Sequence, residues 1–383
     1  MKKLFLLTLI ISQCVYAISN AQDHELNIEY LFTLGENLEF GDPGFLVNPQ
    51  KMSSYEDGTF FIADHGTKSV NMYTEDGKFL NSFGRSGRGP GEVREISAIS
   101  VDENGNLLVL DRMSFKLARF NIDGNSVEEH IFEDMNQINM MTVAALPNNH
   151  FAGIYVESGI PESLNKDLEA IRVYEFGNGE TKSTHFEIFK HQFDRNIPLE
   201  KRLGEGIGYK LTSLQNNVLV VGHRAYTGKL FIVNIKSNEV VEATNKTIKS
   251  PYYLMLDPDA FEIKSFDDIP EISGFTASSG SSGKFMYQVL YNSMMLKQSK
   301  NMIFHIFERN EKEGKTLSIE LEIYSEDGKL LLHKNISKKF PDSDKFRRSF
   351  MHVDEKLRLY VTNHFYNDDP EVQVYQLHLN GLD

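Results

Sequence analysis

The stretch NSFGRSGRGPGEV, residues 81–93, has the composition in this chain that most suggests ligand chemistry. Its glycines could bring backbone amides close to a phosphate, and Arg85 and Arg88 could neutralise the charge. A nucleotide-type phosphate loop, however, needs a lysine followed by Ser or Thr and then a helix. Glu92 and a strand pattern follow here instead. The arginines therefore need an explanation separate from that of the glycines.

Histidine is the other residue type whose placement could do chemistry. His65, His223 and His364 each follow a short apolar run, in the sequences ADHG, VGHR and TNHF. An imidazole can ligate a metal ion or act as a general base. Whether these side chains can act together depends on the elements that carry them.

A repeat supplies those elements. Residues 40–77 align without a gap with residues 87–124, an offset of 47, so that Pro43 falls on Pro90 and Asp64 on Asp111. Each copy reads as four short strands, and the apolar runs GTFFIAD and GNLLVLD are typical of strands buried on both faces. Four antiparallel strands in each period of about 40 to 50 residues predict one blade of a β-propeller.

The rest of the chain contains four less regular copies, and six blades fit better than seven. The last copy ends after three strands, so a strand from residues 25–34 is predicted to complete it. We therefore predict an all-β fold, a six-bladed β-propeller with four-stranded antiparallel blades whose ring is closed by an N-terminal strand. Residues 22–383 form this single domain, with irregular insertions at about 190–208 and 248–284. KFMYQV, residues 284–289, is expected to be the inner strand of blade five.

The repeats resemble NHL-type repeats, on VDENGNLLVLD with ARFNIDG and on YEDGTFFIADHG with VNMYTEDG. They look especially similar to the secreted six-bladed propeller proteins of Bacteroidota. The resemblance is specific over residues 31–132 and approximate beyond them. It implies the propeller fold but no activity, because this architecture carries lyases, lactonases and binding modules alike.

In a propeller, residues 81–93 cross from the outer strand of one blade to the inner strand of the next, so the glycines belong to the fold. Because antiparallel strands alternate in direction, the loops between blades and the loops after second strands emerge on one face. Guanidinium groups on that face suit carboxylate, sulfate or phosphate groups, unless Glu92, Glu95 or Asp111 pair with them. The candidate ligand-binding residues are His65, Arg85, Arg88, Arg94, Arg112, His223, Arg347, Arg348 and His364.

No metal site and no cofactor are expected. Metal-dependent enzymes of this shape carry their ligands on the inner strands, where this chain offers only Glu95 and His352. A zinc or calcium site needs more ligands than these two. The three histidines of the rim fall on blades one, four and six, too far apart to hold one ion. Asp64 and Asp111 are expected to accept backbone amides of their own turns.

The N-terminal segment has the basic start, short apolar core and small residues of a secretion signal, so residues 1–21 are predicted to be a signal peptide. The single cysteine, Cys14, lies within it; lipidation there would leave a lipid tether, but Gln13 stands where a small residue is usual. The net charge of −14 argues against nucleic acid as a partner, and no transmembrane segment follows. The protein is expected to be secreted, periplasmic or at the cell surface.

Two functions remain open. The first is an exported, non-catalytic binding or scaffolding propeller that uses one face of the ring to hold a peptide, glycan or protein partner, which the arginines suggest is anionic. The second is a propeller enzyme, a lactonase-like lyase or hydrolase, with its site at the mouth of the central channel. No serine nucleophile or metal set stands out in the sequence, and this favours the first function.

Overall fold

The blades of a propeller account for the whole described structure except one small sheet. A computed structural model of the protein describes residues 25–132, 142–154, 171–177, 179–184, 209–214, 217–249, 253–256, 275–280, 283–310, 316–340, 350–363 and 370–381. Within these ranges, six four-stranded antiparallel sheets form a ring. The prediction of an all-β, six-bladed propeller is therefore confirmed. The predicted signal peptide with Cys14, and the insertion at 190–208, lie outside the described residues.

The first four blades follow one another along the chain after β1 (Glu25–Leu34). Blade one contains β2 (Pro49–Ser54), β3 (Phe60–Asp64), β4 (Ser69–Tyr73) and β5 (Phe79–Phe83). Blade two contains β6 (Ile96–Val101), β7 (Leu107–Asp111), β8 (Lys116–Phe120) and β9 (Ser126–Ile131). Blade three contains β10 (Val143–Leu146), β11 (His150–Ile154), β12 (Ile171–Glu175) and β13 (Gly179–Thr184). Blade four contains β14 (Tyr209–Leu214), β15 (Val218–His223), β16 (Lys229–Asn234) and β17 (Val240–Thr244).

A separate three-stranded sheet follows blade four. It contains β18 (Tyr253–Leu256), β19 (Phe275–Gly280) and β20 (Gly283–Val289). Blade five contains β21 (Tyr291–Ser299), β22 (Met302–Asn310), β23 (Thr316–Ser325) and β24 (Leu330–Asn335), and a short 3-10 helix, Ser337–Lys339, leads out of it. Blade six contains β25 (Met351–Val353), β26 (Arg358–Asn363) and β27 (Glu371–Asn380), together with β1.

The prediction that KFMYQV forms the inner strand of blade five is wrong. Those residues lie in β20, which pairs with β18 and β19, and the inner strand is β21, which pairs with β22. Only Leu290 separates β20 from β21. Two apolar strands in such close succession cannot be assigned to different sheets from periodicity, because only their partners differ.

The hairpin between the third and fourth strands of a blade explains the repeated Asp-Gly. Gly77 and Gly124 have φ values of +82° and +84°, which L side chains rarely adopt. A Cβ atom at Gly124 would also lie 2.7 Å from the Phe83 ring. Glycine is therefore required at this point of the repeat for both conformation and space.

Apolar contacts between blades form the core. Six hydrophobic clusters among the described residues each span one junction between neighbouring blades. Between blades one and two, for example, Phe61 and Phe83 pack with Ile96 and Val109. The inner strands contact one another in a closed circle, in the order β2, β6, β10, β14, β21, β25 and back to β2. Every residue of β3 and β7 is buried because a neighbouring blade covers each face of its sheet.

The N-terminal strand closes the ring, as predicted. β1 pairs antiparallel with β27, from Glu25 opposite Asn380 to Leu34 opposite Val372. Ile28 joins the cluster between blades five and six, and Leu34 joins the cluster between blades six and one. The strand therefore covers the edge that β27 would otherwise expose and packs into both junctions of blade six.

Replacement of Ile28 by alanine is expected to lower the free energy of unfolding by about 2–4 kcal/mol, since it leaves a cavity in a junction on which ring closure depends. Leu31→Ala is the matched control: it lies on the same strand but is 40% exposed, and it should change stability by less than about 0.5 kcal/mol. Urea denaturation checks both values. Equal effects of the two variants would contradict this account of closure.

No helix in the part of the chain that the structure describes is both long and apolar enough to span a bilayer.

Candidate functional site

A cavity of about 550 Å³ lies at the junction of blades one and two. We call it the rim cavity. The loop after β3, the connection from β5 to β6 and the loop after β7 surround it. Its lining residues are His65, Lys68, Ser86, Gly87, Arg88, Arg94, Glu95, Ile96 and Met113. Three of these side chains are basic and one is acidic, so the cavity carries a net positive charge in a protein whose net charge is −14.

Buried Asp64 fixes the blade-one wall of the cavity. Its Oδ2 accepts the backbone N–H of Val47 at 2.6 Å, and its Oδ1 accepts those of Asn48 at 2.9 Å and Gly66 at 2.7 Å. The side chain is fully buried at the end of β3. It therefore ties the entry to β2 to the turn that carries Lys68.

Asp111 does the same for the blade-two wall. Its Oδ2 accepts the N–H of Arg94 at 2.7 Å, and its Oδ1 accepts the N–H groups of Glu95, Met113 and Ser114 at 3.1–3.2 Å. These bonds position the backbone of three lining residues. The prediction that both aspartates bind local backbone amides is confirmed.

Glu92, a residue of the glycine-rich loop itself, holds the loop in its conformation. The Glu92 carboxylate accepts the N–H of Gly89 and the Nε–H of Arg85, each at 2.9 Å. The Gly89 amide, together with Arg85, holds the pKa of Glu92 below its usual value despite some desolvation. Beneath the loop, buried Lys116 donates to the Gly89 carbonyl at 2.9 Å and to Glu129 at 2.8 Å. These hydrogen bonds hold the loop as a turn, and within it the Arg85 side chain is paired with Glu92.

The three cations that line the cavity have fewer partners than Arg85, which lies outside the lining. Arg94 reaches the Met113 carbonyl with Nη1 at 3.4 Å, a long contact. Arg88 and Lys68 are exposed, and their side chains make no hydrogen bond or ion pair with any described residue. Lys68 was not predicted from the sequence. It lies in the turn after β3 with a backbone φ of +54°, a conformation that was not predicted from the sequence.

His65 lines the cavity and also connects its two walls. Its Nε2 lies 2.6 Å from the Ile96 carbonyl, which can only accept, so Nε2 carries the proton. The bond joins the loop after β3 to the first residue of β6. His65 therefore fixes blade one to blade two beside the three cations.

The other predicted residues lie elsewhere. Buried His223 stands at the end of β15, in blade four; its Nδ1 accepts the Ala225 N–H at 3.1 Å, and burial lowers its pKa to about 4. Arg112 donates its backbone N–H to Glu95 at 3.3 Å, but its side chain is not part of the cavity lining. The remaining candidates lie outside the described residues; they are Arg347, Arg348 and His364.

The two candidate metal ligands lie on different blades, two and six. Glu95 is exposed at the rim cavity, whereas His352 lies on β25 of blade six with its Nε2 2.8 Å from Ser54 Oγ. Burial, with some repulsion from Lys297, holds the pKa of His352 well below its usual value. No group of three or more His, Cys, Asp or Glu residues suited to a metal ion occurs among the described residues.

A second constellation, which the sequence did not reveal, lies in blade five. Ser293 Oγ is 2.9 Å from Nε2 of His305, and Nδ1 of His305 is 2.9 Å from Oε2 of Glu322. Since a carboxylate can only accept, Nδ1 carries a proton, and Nε2 is the ring nitrogen that faces the serine hydroxyl. This is the order of contacts in a Ser-His-acid triad. We call it the blade-five triad.

The triad is buried and heavily bonded. Ser293 is 2% exposed, and His305 and Glu322 are fully buried. Glu322 also accepts hydrogen bonds from Tyr226, at 2.7 Å, and from Asn245, both of which blade four contributes. Burial acts to raise the pKa of Glu322, but the hydrogen bonds, that of His305 first, outweigh it and hold the pKa below its usual value. The network thus joins blades four and five.

The fold and its inter-blade sites define the chain as a six-bladed β-propeller of the NHL-like type. Residues 37–342 match the family described as 6-bladed beta-propeller (DUF5128), and the chain belongs to that family. No curated protein is similar enough in sequence to match it.

Solved structures similar to the chain share its fold at low sequence identity. A DUF4221-family member from Bacteroides vulgatus has 12% identity and a TM-score of 0.57, with 93% of this chain and 99% of that chain covered. A protein of Bacteroides fragilis whose name describes it as exported has 13% identity and a TM-score of 0.54, with 93% and 95% covered. These similarities concern the fold alone.

Asp111→Asn is expected to lower the free energy of unfolding by about 2–4 kcal/mol, because an amide nitrogen replaces one of the two oxygens that accept buried backbone N–H groups. Asp123→Asn, at an exposed turn of the same blade, is the matched control and should stay within about 0.5 kcal/mol of wild type. Chemical denaturation measures both. A loss below about 0.5 kcal/mol for Asp111→Asn would show that the carboxylate does not organise the cavity walls.

Proposed function

We propose that the protein is an exported binding propeller that uses the rim cavity to hold an anionic group on a peptide, glycan or protein partner. The observation that carries the proposal is that Lys68 and Arg88 converge with Arg94 on one cavity, while the neighbouring Arg85 is engaged by Glu92. Guanidinium and ammonium groups in such an arrangement suit a carboxylate, sulfate or phosphate group.

The dimensions and rigidity of the site support binding. A volume of about 550 Å³ falls within the range of roughly 300–1,000 Å³ that is usual for small-ligand sites. Asp64, Asp111 and His65 hold the walls through backbone contacts, so the cations are presented on a framework that needs little reordering when a ligand binds. The signal-like segment at residues 1–21 supports export.

The triple variant Lys68→Ala, Arg88→Ala and Arg94→Ala is expected to bind an acidic ligand at least tenfold more weakly than wild type, since loss of a single charge-assisted hydrogen bond already costs about this much. Panels of acidic oligosaccharides and acidic peptides supply the ligands, and isothermal titration calorimetry measures affinity at two salt concentrations. Wild-type binding should weaken as salt rises.

Arg85→Ala is the matched control, because it removes the same charge from the same loop, 81% exposed, but outside the cavity lining. It should leave affinity within about twofold of wild type. The melting temperatures of all variants should stay close to that of wild type, because the side chains removed lie at the surface. The absence of any salt-sensitive ligand, or equal affinity of the triple variant, would contradict the proposal.

The enzyme alternative has one observation in its favour, the blade-five triad. Ser293 lies on the inner strand of blade five, and its N–H donates to the carbonyl of Arg224 at 2.8 Å. A hydrolase would use Ser293 as the nucleophile, His305 as its base and Glu322 to orient the imidazole. The binding function ranks first because Ser293 is nearly inaccessible and the rim cavity is not lined by any member of the triad.

If the protein is a serine hydrolase, a fluorophosphonate probe is expected to label Ser293 in the wild type and not in Ser293→Ala or Glu322→Gln. Ser54→Ala is the matched control, since Ser54 also contacts a histidine at 2.8 Å and is similarly buried. Mass spectrometry of the labelled protein locates the adduct. A wild type that takes up no probe would exclude this function.

A further inference from the structure

Two lysines face each other from opposite blades. Lys51 lies on β2 of blade one and Lys210 on β14 of blade four. In the closed circle of inner strands these two strands are third neighbours in either direction, so they stand across the channel from each other. Both lysines lie near the start of their strands, opposite Ala63 and Gly222 near the ends of β3 and β15. They therefore occupy the same level, near the face that carries the rim cavity.

A third cation joins them. Arg224 follows β15 directly, at the same end of blade four as Lys210. Arg224 and Lys51 are both close enough to Lys210 for their positive charges to act on it, and Arg224 acts on Lys51 in the same way. Two lysines on opposite strands can interact in this way only if both side chains point into a narrow channel. We call the three residues the channel cluster.

The three cations of the cluster have few polar partners among the described residues. The ammonium groups of Lys51 and Lys210 make no hydrogen bond or ion pair with any described residue, and both side chains retain some exposed surface, as expected inside a channel. Arg224 donates through Nε to Asn292 Oδ1 at 3.3 Å. Asn292 in turn contacts Glu308 at 3.4 Å, an acid on β22, behind the inner strand.

Among the residues that the structure describes, the elements around Lys210 add no acid on the channel side. β10 carries no titratable side chain, and His223 at the end of β15 is neutral at physiological pH. On β21, Lys297 is paired with Glu355 at 3.4 Å. The groups that act on Lys210 are thus Lys51 and Arg224, both positive.

From this arrangement we propose that the channel cluster is a second anion site, distinct from the rim cavity, which takes a compact oxyanion with two or more negative charges, such as a phosphate group or a polycarboxylate. Three cations from opposite sides of a channel surround such an ion, and a flat or monovalent group would satisfy only some of them. The site does not depend on the proposed function of the rim cavity, because the two share no residue.

Binding at this site is expected to take up a proton. Burial, followed by repulsion from Lys51 and Arg224, lowers the pKa of Lys210 to about 7. A bound dianion reverses both effects and favours the charged ammonium. Above pH 7 the free protein must therefore gain a proton when the anion binds, and affinity should fall about tenfold per pH unit until the pKa of the bound state is reached.

Calorimetry with inorganic phosphate and with citrate, at constant ionic strength and pH 8, tests the proposal. Titrations in Tris and in HEPES, which differ in ionisation enthalpy, give the number of protons taken up; we expect about 0.9 per site from a pKa of about 7. The two anions distinguish an inorganic from an organic oxyanion. Chloride replaces them as the monovalent control and should not compete.

Two variants of Lys210 separate charge from titration. Lys210→Met should weaken phosphate binding at least tenfold, and it should raise the melting temperature because it removes repulsion from the channel. Lys210→Arg keeps a charge that does not titrate, so at pH 8, where phosphate is mainly a dianion, it should bind phosphate with no proton uptake by the protein. The Lys68→Ala, Arg88→Ala and Arg94→Ala variant should retain the phosphate binding that is coupled to proton uptake, because that component belongs to Lys210.

Three results would overturn the proposal. The first is phosphate binding that Lys210→Met leaves unchanged. The second is phosphate binding that the triple variant of the rim cavity abolishes, which would place the ion there. The third is a fall in melting temperature for Lys210→Met without any phosphate binding by wild type, which would mean that Lys210 pairs with an acid of the protein.

Discussion

Each blade of the ring buries its side chains only because a neighbour covers each of its two faces. The middle strands β3 and β7 are buried along their whole length, and every described junction holds its own apolar cluster. At the end of an open stack, a sheet with two apolar faces would expose one of them to water. The stack of blades therefore closes into a ring. The pairing of β1 with β27 provides that closure, and the loops and channel have fixed positions because the ring has no free end.

Strand direction places the rim cavity and the channel cluster on the same face of the ring. Inner strands begin, and second strands end, at the same side of the ring, so the rim cavity and the channel cluster both open there. Packing between the sheets constrains the apolar side chains. It does not constrain the polar residues at these strand ends, so they differ from blade to blade. Cations gather at blades one, two and four, although the protein as a whole is acidic. The cations on this face therefore attract an approaching anion, whereas the net negative charge of the protein repels it.

The sequence predicts the features that repeat and misses those that depend on which blades meet. The aligned residues 40–77 and 87–124 contain six strands of blades one and two, which were predicted correctly because turn chemistry and apolar runs recur there. Asp64 and Asp111 were identified as backbone ligands because short acids at strand ends bind local amides. The channel cluster was not foreseen, because Lys51 and Lys210 approach each other only after strands far apart in sequence are assembled. The triad lies on three consecutive strands, but KFMYQV had been assigned as the inner strand of blade five in place of β21, so Ser293 was not considered.

The pairing of Glu25 with Asn380 has a consequence for how the chain reaches its final state. The first strand to be synthesised has no partner until nearly the whole chain exists, and contacts so distant in sequence form slowly. β1 therefore cannot pair before β27 is available. Its exposed positions include Glu25 and Glu29, and charges on an unpaired strand discourage pairing with another chain. Completion of the ring thus depends on strands from both ends of the propeller, β1 and β27.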